Sequence, residues 1–191
     1  LIFFDEKGSI LKFSQDSKLI WKKNYYDKKE IKQKPTIYFA TDNNILIVAD
    51  SLAKLYAMDY SNGNILWKKI NTTSFNSEIK IIDDKVFIVD LDNRIKCISL
   101  KDGKEIWNFN TEKSFIKSQK KISLVVYNDL VTFMDTFGDI NALDLNTGKL
   151  VWQTQTINED IYESSFLIKS SRLVYDNGTI FVSNNQNKLF A

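Results

Sequence analysis

Histidine is missing from this sequence of 191 residues, and cysteine, proline and glycine are scarce at one, one and six. Without histidine, these residues can build no Ser-His-Asp or Cys-His nucleophile system and no His-ligated metal site. The lone Cys97 forbids an internal disulfide and a zinc ribbon. No apolar run reaches the roughly 18 residues that a membrane-spanning helix requires. The apolar start Leu1–Phe4 is too short for an export signal, but the chain does not begin with Met, so its compartment is not legible there. An excess of one charge is lacking too. The 26 Lys+Arg against 24 Asp+Glu give a net charge of +2, too little to indicate a nucleic-acid partner. Only two of the 26 are arginine, the residue whose planar fork suits phosphate best. The lysine bias is accounted for by AT-rich codon usage.

What the chain does have is aromatic and β-branched residues, with aromatics at 13%, a composition that favours strands. It also has a repeat. Tryptophans stand at 21, 67, 107 and 152, at spacings of 46, 40 and 45 residues, each in the same setting. Short apolar runs at Ile45–Ala49, Val86–Val89 and Leu130–Met134 end at Asp50, Asp90 and Asp135. They are apolar on both faces, as in a strand covered on both sides. A second strand follows at Lys54–Asp59, Arg94–Ser99 and Asp139–Asp144. Next comes a turn with Asn62-Gly63, Asp102-Gly103 or Thr147-Gly148, where Gly and Asn are expected to supply positive φ. The strand after the turn carries the Trp. A further strand precedes each copy, at Thr36–Ala40, Ile79–Ile82, Ile122–Tyr127 and Arg172–Tyr175.

Four antiparallel strands in each repeat of about 40–46 residues predict an all-β fold, a β-propeller of four-stranded antiparallel blades. The expected organisation is one partial propeller over residues 1–191. Its blades fall at about 1–23 (partial), 36–70, 78–110, 121–155 and 171–191 (partial). That amounts to about four and a half blades, and an eight-bladed ring is the expected whole.

Residues 142–152 read A-x-D-x-x-T-G-K-x-x-W, with Ala142, Asp144, Gly148 and Trp152 at the marked positions. This pattern resembles the tryptophan-docking motif of pyrroloquinoline-quinone-like propeller repeats. Ala57, Asp59, Gly63 and Trp67 keep most of it, with Asn62 in place of Thr. The third copy has Cys97 and Ser99 at the Ala and Asp positions but retains Gly103 and Trp107; the first keeps little beyond Trp21. Each indole is expected to lie flat between blades over a small residue, and the Asp to accept a hydrogen bond in the following turn. All four tryptophans are therefore read as structural.

The resemblance admits two main functions, with an extracytoplasmic propeller sensor or ligand-binding domain as a further alternative. Quinone-dependent dehydrogenases of this type place a vicinal disulfide beside the cofactor and carboxylates around calcium, and no motif carries those residues over to this chain. Asp5, Asp50, Asp90 and Asp135 recur at equivalent positions, which argues for a turn role and against a unique catalytic acid. The other function is that of the propeller-lipoprotein family of the outer-membrane β-barrel assembly machinery. That resemblance implies a non-catalytic scaffold on the periplasmic face of the bacterial outer membrane, without cofactor or metal. Its expected partner is the barrel-forming subunit, with no nucleic acid, and with membrane contact only through a lipid anchor outside this segment. Two connections are candidates for partner contact. The stretch Lys22–Lys34, with Tyr25, Tyr26, Lys28 and Lys29, is read as a basic loop; Thr154–Ser165, with Glu159, Asp160 and Tyr162, is acidic. Binding residues concentrate in such connections on a rigid scaffold.

If the indoles are structural, Trp152→Ala lowers stability by about 3–5 kcal/mol. Urea denaturation checks this, and an unchanged midpoint contradicts it.

Overall fold

A computed structural model describes residues 1–111, 121–156, 171–183 and 189–191. Its chain is built from consecutive antiparallel strands. Three sheets have four strands each: β4 (Ile37–Asp42), β5 (Ile45–Asp50), β6 (Lys54–Asp59) and β7 (Ile65–Ile70); β8 (Lys80–Ile82), β9 (Lys85–Val89), β10 (Arg94–Ser99) and β11 (Glu105–Asn110); and β12 (Leu124–Tyr127), β13 (Leu130–Met134), β14 (Asp139–Asp144) and β15 (Leu150–Gln155). Strand order within each follows chain order, which is the arrangement of a propeller blade. Two further sheets have three strands among the described residues: β1 (Ile2–Phe4), β2 (Ser9–Phe13) and β3 (Leu19–Asn24), and β16 (Val174–Asp176), β17 (Thr179–Ser183) and β18 (Leu189–Phe190).

The chain divides into two compact units, Leu1–Phe75 and Asn76–Ala191. In the first, Ile10 and Trp21 of one sheet pack with Leu46, Val48, Tyr56 and Met58 of the next. In the second, Phe87, Ile95 and Cys97 pack with Leu124, Phe133 and Leu143, and Met134 and Ile140 pack with Leu173 and Val182. The runs of β5, β9 and β13 are buried on both faces. An uninterrupted apolar strand is what a sheet covered on both sides needs.

Local chemistry repeats with the sheets. The carboxylate oxygen Oδ1 of Asp50 accepts the N–H groups of Leu52 and Lys54, each at 2.8 Å. Asp5 holds Lys7 and Ser9, Asp90 holds Asp92 and Arg94, and Asp135 holds Phe137 and Asp139 in the same way. One acidic side chain thus satisfies two turn donors at each bend from the second strand to the third. Burial, aggravated by the nearby Asp139 charge, pushes Asp135 up to about 6.

The next turn differs in detail from the sequence expectation. Only its glycines are left-handed, with φ of 73° at Gly63, 69° at Gly103 and 69° at Gly148. Asn62 instead braces the turn through its side chain, accepting the N–H of Asn64 and donating to Asp59. In the preceding two-residue bends, Asn43, Asp83, Asp84, Asn128, Asp129 and Asn177 carry the positive φ, as Asn and Asp tolerate.

Gly148 cannot be enlarged cheaply. A Cβ there would lie 2.5 Å from Trp107 Cδ2, on a backbone that side chains avoid. Gly148→Ala is expected to cost about 2–4 kcal/mol, read as a lower thermal midpoint; an unchanged midpoint would show that Trp107 yields freely.

Candidate functional site

Two arrangements account for most of the residues singled out by the sequence. The first joins neighbouring blades. Trp21 Nε1 donates to the Tyr60 carbonyl at 3.1 Å, and its ring lies against Gly63 of the next sheet. Trp107 repeats this at Leu145 O, 3.2 Å away, with its ring on Gly148. Tyr60 and Leu145 each follow the motif Asp, so each indole reads the same two backbone features of the next repeat. Asp59 accepts from the Ser61 hydroxyl and amide, and Asp144 from the Thr147 hydroxyl and amide. Those bonds, the hydroxyl's first, hold both carboxyls below the usual range. In the third copy the roles exchange: the Ser99 hydroxyl bonds to Asp102 within the turn.

The small motif residue sits across the strand pair from the Trp. Ala57 is the register partner of Trp67, Cys97 of Trp107, and Ala142 of Trp152, with a bulge directly after each. All three small residues are fully buried. Cys97 has its thiol pushed up to about 12 by burial, so it is an inert core group at neutral pH.

The second arrangement is the connection after β3, and here the expected loop is in part a helix, α1 (Lys28–Lys32). Asp27 caps it, accepting the N–H groups of Lys29 and Glu30, while the Glu30 carboxylate accepts the Asp27 N–H. This is a reciprocal capping box, spelled in the sequence by D-x-x-E. Tyr26 is not available to a partner. It is 4% exposed, packs edge-on against Phe4, and donates its hydroxyl to Asp50 at 2.6 Å. Tyr25 is half-buried, donates to the Gly63 carbonyl, and is pushed up to about 12 by burial. A surface role fails for Tyr26 because an aromatic ring beside a blade seam gains more from burial than from exposure. Lys28 and Lys29 are exposed. Glu159, Asp160 and Tyr162 lie outside the described residues.

Sequence reading missed what Asp50 and Lys54 do at this connection. Asp50 is buried and raised by that burial, partly offset by the Tyr26 hydroxyl. Lys54 is buried too, forms an ion pair with Glu30, and lies over the Tyr26 ring at 4.6 Å. A buried lysine at the head of the apolar run Leu55–Met58 has no signal of its own in the sequence. Tyr56 OH is buried beside this group, without a hydrogen-bond partner among the described residues. Among the described residues, no group of three or more His, Cys, Asp or Glu is arranged to hold a metal.

Residues 6–191 match the family model described as outer membrane protein assembly factor BamB. The chain belongs to this family. It is 26% identical to the BamB of Shewanella oneidensis over 133 residues, covering 66% of this chain and 32% of that protein. A crystal structure of BamB from Moraxella catarrhalis superposes with a TM-score of 0.72 at 18% identity, covering 98% of this chain and 53% of that one. The quinohemoprotein alcohol dehydrogenase ADH IIB of Pseudomonas putida is 24% identical over 136 residues, 62% of this chain and 20% of its own length. The chain thus spans about a third or less of these curated relatives and about half of the solved structure. The fold of this BamB-family chain is a β-propeller of quinone-like repeats.

Tyr26→Phe removes the donor to a buried carboxylate and is expected to cost about 1.5–3 kcal/mol. Equilibrium unfolding in urea reads it, and a cost below about 0.5 kcal/mol would mean that Asp50 finds another donor.

Proposed function

We propose that this chain is part of a non-catalytic, protein-binding scaffold in outer-membrane β-barrel assembly, working at the periplasmic face of the bacterial outer membrane. In this reading its partner is the barrel-forming subunit, and a lipid anchor outside these residues supplies membrane attachment. The observation that carries the reading is the family match over residues 6–191. The geometry supports it. Trp21 and Trp107 are taken up by blade docking together with Gly63 and Gly148. We assign the same structural role to Trp67, Trp152 and Gly103. Recognition then falls to the connections between blades: to Lys28 and Lys29 in one, and to Glu159, Asp160 and Tyr162 in the other.

The likeness to ADH IIB favours a second reading, a piece of a quinone-dependent dehydrogenase. The residues here do not suit that cofactor. The one thiol, Cys97, is buried opposite Trp107 and has no second cysteine to join, whereas the resemblance implies a vicinal pair beside the quinone.

Two measurements separate the readings. The purified protein, immobilised and exposed to bacterial envelope extract, is expected to retain the barrel-forming subunit. Titration with quinone and calcium is expected to leave the cofactor spectrum unchanged. Saturable quinone binding with a spectral shift would establish the dehydrogenase reading instead.

A further inference from the structure

The positive charge of this protein is localised. Residues 1–75 carry twelve lysines against eight carboxylates, and the remaining residues fourteen Lys+Arg against sixteen. Within the first unit, the connection after β3 concentrates the effect. Residues 27–34 contain four lysines and two acids, and the fold withdraws both acids. Asp27 is committed to capping α1. Glu30 is committed to the Asp27 amide and to the buried ammonium of Lys54, which draws its pKa down. Lys28, Lys29, Lys32 and Lys34 are exposed, and among the described residues their ammonium groups make no hydrogen bond or ion pair. The helix cap and the Lys54 pair limit intramolecular neutralisation, the usual fate of such a stretch.

The platform is held firmly. Ile31, the apolar residue of α1, lies against Gly8, where an added Cβ would sit 2.9 Å from its Cδ1. Tyr25 and Tyr26 anchor the approach to the helix through Gly63 and Asp50. Beside it stands an apolar residue without cover. Lys54, which holds Glu30, is the cross-strand register partner of Ile70, and Leu55 that of Lys69. Ile70 is 72% exposed. The lysines of α1 and the pair Lys69-Ile70 therefore flank one residue of one rim.

We propose that this rim binds an acidic polypeptide segment that carries an apolar side chain for Ile70. The inference rests on the scaffold reading and deepens it by giving the chemistry of a partner. A nucleic acid fits poorly, because the tyrosines that would stack on bases are turned inward and residues 1–75 contain no arginine. A lipid surface fits poorly as well. The outward face of α1 is charged, and its apolar residue points into the protein, so no apolar helix face remains to enter a bilayer interface. Acidic side chains meeting four lysines carried on an already folded connection gain attraction without ordering a loop.

The test is fluorescence anisotropy of a labelled acidic peptide of Glu and Leu, titrated with the whole protein. Saturable binding that weakens several-fold between low and moderate salt is expected. The variant Lys28→Glu/Lys29→Glu/Lys32→Glu should bind about tenfold more weakly or worse, and Ile70→Ser about threefold more weakly, both with unchanged thermal midpoints. Should charge reversal lower the midpoint, the corresponding Gln variant serves with the same expectation. Undiminished binding by the lysine variants overturns the proposal. So does equal binding of a Lys and Leu peptide, and so does adsorption to phosphatidylglycerol vesicles without peptide binding. The titration needs no assembly subunit, so its failure is separate from failure of the envelope capture.

Discussion

An indole laid on a left-handed glycine is the contact on which the blades of each unit depend. The Trp ring needs a flat, uncluttered surface, and a glycine at positive φ provides one because it has no Cβ to intrude. Trp21 on Gly63 and Trp107 on Gly148 both meet this requirement. Each ring also donates to a backbone carbonyl at a fixed offset from that glycine. The contact therefore combines apolar burial with a directional hydrogen bond, and the bond sets how far one sheet slides along the next. The motif Asp braces the glycine turn from within, and the bulge after Ala57, Cys97 or Ala142 lets the third and fourth strands of a blade keep pace around it.

With seams held by a local device, the strands themselves need only be apolar. The inner runs tolerate different residues in different copies, such as Ile45–Asp50 against Leu130–Met134. A substitution in the motif is absorbed when another residue restores the bond, as Asp102 does for the missing acid at Ser99. The copy beginning at Leu1 keeps the seam although Trp21 is nearly all it retains of the motif, because the glycine and carbonyl that the indole docks on belong to the following copy. A seam of this kind leaves recognition to the connections.

Much of the fold was legible because both of its signals are periodic. Tryptophans recurring every 40–46 residues mark the blades, and apolar runs ended by Asp mark the strands within them. Boundaries moved by one or two residues at strands such as Ile37–Asp42 and Val174–Asp176, where hydrogen bonding continues into polar residues that composition assigns to turns. The connection after β3 was less legible. Its lysines suggested a solvated loop, although Asp27 and Glu30 already spelled a capping box.

The sequence by itself determined the repeat, the all-β class, the blade motif and the exclusion of histidine chemistry from these residues, since each follows from residue identity and spacing alone. Only the tertiary structure decided that Tyr26 belongs to the core while Lys28 and Lys29 face solvent. The reason is physical: residues adjacent in sequence differ in exposure according to what the next blade offers them. For Tyr26 that is the buried carboxylate of Asp50; for Glu30 it is the ammonium of Lys54. Neither partner is near in sequence, so no local pattern shows the match, and folding it into place is what leaves the neighbouring lysines unneutralised.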